Sequence, residues 1–179
     1  FITARKKKGQ ETNVYYVGAE EGEMPALCQM WGAKVVMFEP NPLAWANIYS
    51  IWYANKLENP AGMFVGFASN STELTPPNID YEFWGGDVMK NGWPACAMRN
   101  PVGDHGFKEL YQESDAFPQV KIDDYVTETG IIPTVITFDC EGSDWQVLRG
   151  AEKTIREHKP FIVASIHPEI MFHQSGEYS

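Results

Sequence analysis

Side chains that bind ligands or move protons stand at the ends of four apolar runs of the sequence. Gly18 to Gly22 (GAEEG) ends the first run, and Glu39 ends the second. Asp139 and Glu141 end the third, and His167 ends the fourth. Because carboxylates and imidazoles accept hydrogen bonds from hydroxyl groups or remove their protons, these positions are the first candidates for a binding or reactive site.

The segment from Gly18 to Gly22 is a shortened form of the glycine turn found in dinucleotide-binding proteins. The usual G-x-G-x-x-G spacing lets backbone N–H groups meet a pyrophosphate, but here the middle glycine is missing and Glu20 and Glu21 lie in the turn. The two carboxylates would repel a diphosphate and favour a zwitterionic ligand with a cationic sulfonium. Alternatively, a G-x-x-x-G turn only connects a strand to a helix.

Glu39 follows the glycine turn by about 20 residues, the usual spacing of the acid that accepts hydrogen bonds from both hydroxyls of a ribose. A glycine turn followed by such an acid predicts an adenosine ligand. Alternatively, Glu39 interacts with the positive N-terminal end of the helix predicted to follow it. Another apolar run ends at Ala68 and Ser69, which therefore join the candidates at the same edge.

Asp139 and Glu141 are separated by one residue at a predicted strand end, so alternation along the strand would aim both carboxylates to one side. They would position a substrate hydroxyl or a metal, or act as a general base; alternatively, they cap the helix predicted to begin at Ser143. His167 is a candidate base, or only a strand-end residue before a proline. Cys140 is a poor nucleophile, because the adjacent carboxylates raise the pKa of its thiol.

These candidates share one location if the apolar runs are strands of a single sheet. The predicted strands are 13–19, 34–38, 62–68, 134–138 and 161–166, with a regular segment at 120–126; the predicted helices are 25–31, 43–57 after an Asn41–Pro42 start, and one that begins at Ser143 in an S-x-x-Q capping box. Strands that alternate with helices predict an α/β fold with a mostly parallel, doubly wound sheet and helices on both faces. Ligands bind such sheets at the carboxyl ends of the strands.

Residues 73–119 interrupt this alternation with prolines and glycines, and we interpret them as a long insertion or lid loop within one domain that spans 1–179. The insertion contains four aromatic residues that either roof a pocket or form a small core that pins the loop: Tyr81, Phe83, Trp84 and Trp93. We prefer the packing interpretation. His105 is interpreted as a surface residue.

Composition limits the partners. The net charge of −10 disfavours nucleic acid, and the basic run from Arg5 to Lys8 is interpreted as a solvated approach to the first strand. No apolar run is long enough to cross a membrane. The three cysteines show no disulfide or zinc-ligand spacing, so we expect reduced thiols, no metal site and a cytoplasmic location. Because the chain begins with Phe1, we expect a piece of a longer polypeptide.

The combination of motifs resembles the FkbM-type S-adenosylmethionine-dependent methyltransferases. The resemblance rests on Val17-Gly18-Ala19-x-x-Gly22, Phe38-Glu39-Pro40-Asn41-Pro42, Lys121-Ile122-Asp123-Asp124-Tyr125, Asp139-x-Glu141-Gly142, Val147-Leu148-Arg149-Gly150-Ala151 and Ile166-His167-Pro168. These motifs occur in the family's order and spacing from about residue 13 to 170. The family continues beyond the last of them into a helix and a strand pair.

The resemblance implies transfer of a methyl group from S-adenosylmethionine to an oxygen, commonly a sugar or glycan hydroxyl. It implies cofactor contacts at Gly18, Ala19, Glu20, Gly22, Glu39, Pro40, Asn41, Ala68, Ser69 and Asp139, and catalytic roles for Asp139, Glu141 and His167. The acceptor would be a small molecule or glycan, and nothing indicates the oligomeric state.

Two positions depart from the family's pattern. Tyr16 stands where the family usually has Asp, and Ser165 stands where the fifth strand usually carries Glu. The departures either alter ligand contacts or mark a non-catalytic binding or scaffolding domain. A nicotinamide-dependent oxidoreductase is a third alternative, disfavoured by the missing middle glycine.

Overall fold

A computed structural model of the protein describes residues 1–74, 89–99 and 117–166. The strands are β1 (Asn13–Val17), β2 (Lys34–Phe38), β3 (Gly62–Phe64), β4 (Phe67–Ala68), β5 (Met89–Lys90), β6 (Trp93–Pro94), β7 (Gln119–Val120), β8 (Val135–Asp139) and β9 (Phe161–Ser165). The helices are α1 (Ile2–Lys7), α2 (Glu23–Met30), α3 (Ala44–Ala54), α4 (Ile122–Thr129), α5 (Asp144–Gly150) and α6 (Glu152–His158), with a 3₁₀ turn at Ala95–Met98.

Five strands form the central sheet in the order β3-β2-β1-β8-β9, and every neighbouring pair is parallel. The chain builds outward from β1 to β3, then returns to the other side of β1 with β8 and β9. Strand order therefore reverses between β1 and β8, which is where open α/β sheets bind ligands. The predicted fold class, a mostly parallel α/β sheet, is confirmed.

Helices cover both faces of the sheet at its inner strands β2, β1 and β8. On one face, α2 and α3 pack over Val14, Val35 and Met37, with Trp45 and Trp52 of α3 fully enclosed. The opposite-face core consists of Tyr15, Val17, Val36, Phe38, Ile136 and Phe138 with Ile122 of α4 and Val147 of α5. Both clusters draw on alternate residues of the same strands, as expected for strands buried on both faces.

The strand predicted at 62–68 is two strands in different sheets. β3 pairs with β2 in the central sheet, whereas β4 pairs with β7 in a small parallel sheet. Gly66 lies at the break, and a Cβ there would stand 2.3 Å from the Pro118 carbonyl oxygen. The predicted regular segment 120–126 likewise divides, into the end of β7 and the first part of α4.

The predicted capping box at Ser143 does not form. Ser143 is the N-cap of α5, but its side chain makes no capping hydrogen bond. The N-terminal end of the next helix, α6, is capped by a side chain of α4. The Asp123 carboxylate accepts hydrogen bonds from the N–H groups of Lys153 at 3.1 Å and Thr154 at 2.7 Å. A sequence pattern identifies local caps but not caps supplied by a distant helix.

The described part of the predicted insertion packs on the main core. Trp93 is 3% exposed, contacts the rings of Tyr49 and Trp52, and donates a hydrogen bond from Nε1 to Asn59 Oδ1 at 2.9 Å. For Trp93 the structure thus supports the packing interpretation. The other predicted aromatic residues (Tyr81, Phe83, Trp84) and His105 lie outside the described residues.

At the N-terminus, the basic run lies in the last turn and C-cap of helix α1, where Lys6, Lys7 and Lys8 are exposed as the solvated interpretation predicts. In the three described ranges, no helix has the length and apolar character needed to cross a membrane.

Candidate functional site

Strand register brings the predicted residues to one edge of the sheet. Val17 pairs with Phe38 on one side and with Phe138 on the other, so the next residues, Gly18, Glu39 and Asp139, are level at the carboxyl ends of β1, β2 and β8. Neighbouring parallel strands are about 4.8 Å apart. Two carboxylate-bearing residues therefore flank a glycine at the point where strand order reverses.

Gly18 is required by a close approach of two strand ends. Its φ is +76°, and a Cβ at this position would lie 2.2 Å from the Asp139 carbonyl oxygen. Gly22, with φ +93°, is the N-cap of α2 and would meet Ile48 Cγ1 at 2.9 Å if it carried a Cβ. Both glycines of the turn thus serve tight packing as well as positive φ, which only glycine tolerates at low cost.

Glu39 is buried, 3% exposed, and its carboxylate is held by backbone N–H groups. Oε2 accepts a hydrogen bond from the Glu20 N–H at 2.9 Å, and Oε1 accepts one from the Asn41 N–H at 2.8 Å. Burial raises the pKa of Glu39 to about 7, although these hydrogen bonds act in the opposite direction. Since each carboxylate oxygen has a second lone pair, the ionised group retains acceptor capacity for a ligand hydroxyl.

The alternative prediction was that Glu39 interacts with the N-terminal end of the following helix. Asn41 takes part of this role. The Asn41 Oδ1 atom accepts a hydrogen bond from the Leu43 N–H at 2.8 Å, ahead of the first residue of α3. Glu39 instead ties the segment after β2 to the glycine turn after β1. It therefore fixes the relative position of the two strand ends that a nucleoside would span.

A cavity of about 90 Å³ opens at this edge. Its lining consists of Val17, Gly18, Glu20, Phe38, Glu39, Pro40, Gly66, Phe67, Ala68, Asp139, Cys140, Glu141 and Ser143. Seven of the residues predicted to bind or react are among them: Gly18, Glu20, Glu39, Pro40, Ala68, Asp139 and Glu141. Four of the lining residues are acidic and none is basic, so the cavity favours cationic over anionic groups.

Four predicted contact residues lie beside the cavity without lining it: Ala19, Gly22, Asn41 and Ser69. Ser69 is buried, and its hydroxyl is engaged with Gln119 Oε1 at 2.8 Å and with the backbone of Ser71. The geometry gives Ser69 a role in holding the small β4–β7 sheet. His167 lies outside the described residues.

Asp139 and Glu141 both line the cavity, but strand alternation is not the reason. β8 ends at Asp139, and Glu141 and Gly142 then adopt φ of +47° and +100°. Asp144, which is 1% exposed, accepts a hydrogen bond from the Cys140 N–H at 3.2 Å and closes this turn. The D-x-E-G-x-D spacing was the available signal for Asp144, which the sequence prediction missed.

The apolar wall of the cavity was also missed. Phe67 follows the break at Gly66, and Phe38 and Val17 are the last residues of β2 and β1. The sequence predicts that these residues lie in strands, and nothing else in it indicates that they face a cavity. The cavity wall depends on the break after β3, where the chain leaves the central sheet and forms β4, and only the three-dimensional structure reveals this break.

The charges of the site influence one another. Partial burial raises the pKa of Glu20, and the carboxylates of Asp139, Glu141, Glu23 and Glu21 raise it further. For Cys140, burial followed by the charges of nearby acids, first Asp144, raises the pKa of the thiol. The direction of this shift agrees with the prediction that Cys140 is a poor nucleophile, although burial and not the adjacent carboxylates is its main cause.

Beside the cavity stands Tyr16, one of the two departures from the family pattern. It is half-buried on the same sheet face as Asp139, and burial raises the pKa of its hydroxyl, followed by contributions from Cys28, Glu20 and Asp139. Its phenol group is thus within electrostatic range of the acidic residues at the strand ends. In the part of the chain that the structure describes, the cavity included, no group of three or more His, Cys, Asp or Glu side chains is arranged to hold a metal ion.

Comparison with known proteins adds two findings. The sequence model of a family described as "Methyltransferase FkbM domain" matches residues 16–177. The crystal structure of Methyltransferase FkbM from Methylobacillus flagellatus KT is similar in fold, with a TM-score of 0.52 and 21% sequence identity over 87% of this chain. This chain spans 32% of that protein's chain. No curated protein sequence matches.

Proposed function

The chain belongs to the FkbM methyltransferase family, and on this premise we propose that it transfers a methyl group from S-adenosylmethionine to a hydroxyl oxygen of a sugar, glycan or other small acceptor. The observation that carries the proposal is the placement of Glu39. Its buried carboxylate stands at the end of β2, level with Gly18 at the end of β1 and two strands from Asp139.

The residues at the edge fit this cofactor in chemistry. Glu39 offers two carboxylate oxygens to the ribose hydroxyls, and Gly18 leaves the end of β1 without a side chain. Phe67 and Ala68 supply apolar surface for a base. The cavity of about 90 Å³ is smaller than the roughly 300–1,000 Å³ of most ligand sites, so it accommodates part of the molecule and the remainder extends over the strand ends.

Charge supports a sulfonium cofactor over a dinucleotide. Glu20, Glu39, Asp139 and Glu141 line the cavity, and no lysine or arginine lines it. A diphosphate placed there would meet repulsion without a compensating cation. A positively charged sulfonium would be stabilised by the same carboxylates.

When bound, S-adenosylmethionine supplies an electrophilic methyl group. The chain's own part is to bind the acceptor, orient its hydroxyl and take up the proton that the hydroxyl loses. Asp139 and Glu141 are the groups positioned for this, because both line the cavity next to Gly18. Holding donor and acceptor in line supplies much of the rate of such a displacement.

We also propose a reducing, cytoplasmic environment for the reaction. Cys28, Cys96 and Cys140 all fall within the described residues, and none forms a disulfide. Disulfides are rare in compartments where thiols are kept reduced.

Calorimetric titration of the full chain with S-adenosylmethionine and S-adenosylhomocysteine tests the proposal. We expect both to bind. The Glu39→Ala variant should bind roughly a hundredfold more weakly or worse, because hydrogen bonds to a charged group contribute about 1.5–3 kcal/mol each. The Glu39→Gln variant keeps the side-chain shape and one acceptor oxygen, so its affinity should fall between the two.

Asp139→Asn is the matched control, since it removes a second carboxylate from the same cavity. Its affinity for S-adenosylhomocysteine, which carries no sulfonium charge, should stay within about threefold of the original, because Asp139 is assigned to the acceptor. Equal affinities for the original chain and both Glu39 variants would remove Glu39 from the cofactor site. Absence of binding in a folded chain would favour a non-catalytic scaffolding domain.

A further inference from the structure

The two positions that depart from the family pattern are neighbours of Asp139 in the sheet. Ser165 at the end of β9 pairs directly with Asp139 at the end of β8. On the other side, Tyr16 of β1 pairs with Thr137, the residue two positions before Asp139. Side chains two residues apart on a strand share a face, so all three side chains project from one face of the sheet.

Both neighbours carry a hydroxyl group. Ser165 is exposed and Tyr16 is half-buried. Asp139 stands between them, partly exposed, and lines the cavity. The electrostatic influence of Asp139 on Tyr16 agrees with their proximity. The edge thus places a hydroxyl-bearing residue on each of the two strands that neighbour Asp139.

The strand order separates the end of this edge that would bind the cofactor from the end that would bind the acceptor. Glu39, Gly18, Asp139 and Ser165 occupy successive strands in that order. With neighbouring parallel strands about 4.8 Å apart, the ribose end at Glu39 lies two strands from Asp139 and three from Ser165. Ser165, on the far side of Asp139 from Glu39, therefore faces the acceptor, whereas Tyr16 on β1 flanks Asp139 from the side nearer Glu39.

We propose that Ser165 and Tyr16 are acceptor-binding residues, and that they select an acceptor in which the hydroxyl at Asp139 is adjacent to a second, uncharged hydroxyl. The inference rests on the proposed function and names its specificity residues. Hydroxyl side chains donate and accept hydrogen bonds, so one on each side of a carboxylate matches a vicinal diol. The acidic lining disfavours an acceptor that carries a negative charge.

The experiment uses the full chain saturated with S-adenosylhomocysteine. Three neutral methyl glycosides (gluco, galacto and manno) serve as vicinal-diol probes, cyclohexanol serves as the single-hydroxyl probe, and binding is followed by ligand-observed NMR titration. We expect at least one glycoside to bind more tightly than cyclohexanol. Ser165→Ala and Tyr16→Phe should each weaken that binding roughly three- to tenfold, the effect of losing one hydrogen bond.

Two controls separate recognition from structure. Ser50→Ala removes a hydroxyl group that bonds within α3, away from the edge, and should leave glycoside binding unchanged. Affinity for S-adenosylhomocysteine should be the same in all variants. Glycoside binding that is unaffected by both Ser165→Ala and Tyr16→Phe would overturn the inference, as would a saturated original chain that binds no glycoside. Failure to bind S-adenosylhomocysteine itself would instead contradict the proposed function.

Discussion

The two sides of the strand-order reversal differ in how deeply they hold their polar residues. On the β2 side, Glu39 is 3% exposed and four successive residues of the strand, Val35 to Phe38, have no exposed surface. On the β9 side, every residue from Phe161 to Ser165 is exposed, including Val163 at 53%. One end of the functional edge is thus built into the core, and the other lies at the surface.

This difference separates two tasks. A buried carboxylate held by two backbone N–H groups has a fixed position, which suits a ligand that is always the same. Exposed side chains at an edge change without disturbing the core, since surface substitutions alter stability little. In the proposed function, the cofactor end is therefore preorganised, whereas the acceptor end tolerates substitution. Ser165, at the exposed end, is consistent with this division.

The largest effect should follow from Gly18→Ala. The added methyl group would stand 2.2 Å from the Asp139 carbonyl oxygen at a residue with φ +76°. Left-handed strain and forced displacement of backbone together should lower the free energy of unfolding by on the order of 4 kcal/mol. Urea denaturation followed by circular dichroism measures this change.

Gly130→Ala is the matched control. Gly130 has φ +69°, close to that of Gly18, but a Cβ there would have no atom within 4 Å. Its substitution should cost only the left-handed strain, about 1–2 kcal/mol. If the two variants lost equal stability, the close contact between the ends of β1 and β8 would be wrong, and with it the preorganised edge.

Glu39 should make stability depend on pH. Burial raises its pKa from 4.5 to about 7 in the folded chain, so the folded state favours the protonated carboxyl group. The resulting stabilisation is complete below about pH 4.5 and is lost as pH rises through 7, a change on the order of 3 kcal/mol. Above that range the contribution of Glu39 should be constant.

The comparison with Glu39→Gln isolates this effect, because glutamine does not titrate. Between pH 5 and 7.5, the free energy of unfolding of the original chain should fall relative to that of the variant. A difference that stays constant over this range would mean that the Glu39 carboxylate is less buried than the structure shows. Its hydrogen bonds to Glu20 and Asn41 would then lie in contact with water.

Sequence reasoning located the strands where local pattern and burial agree. The bounds of β2, Lys34–Phe38, were predicted as the structure has them, because a continuous apolar run between polar residues allows few alternatives. The segment 62–68 also looked continuous, yet it divides at Gly66 where the Pro118 carbonyl oxygen approaches. Residue 118 is distant in sequence, so no local pattern reports that contact.

The same reasoning explains which site residues were predicted. Gly18, Glu39 and Asp139 follow strand ends, and parallel topology brings strand ends together. Ser165 was noticed only as a departure from a pattern, because its place beside Asp139 depends on the register of β9 with β8. Asp144 was missed, since its function is to hold the N–H of Cys140 and not to follow a strand.

The smallest effects should appear at the exposed edge. Val36→Ala in β2 removes two methyl groups from a residue with no exposed surface and should lower the free energy of unfolding by about 2–3 kcal/mol. Val163→Ala makes the same chemical change in β9, where the side chain is 53% exposed, and should cost about 0.5 kcal/mol. Urea denaturation of both variants measures the difference. A loss at Val163 as large as that at Val36 would show that β9 is covered in solution, and the acceptor end would then be as buried as the cofactor end.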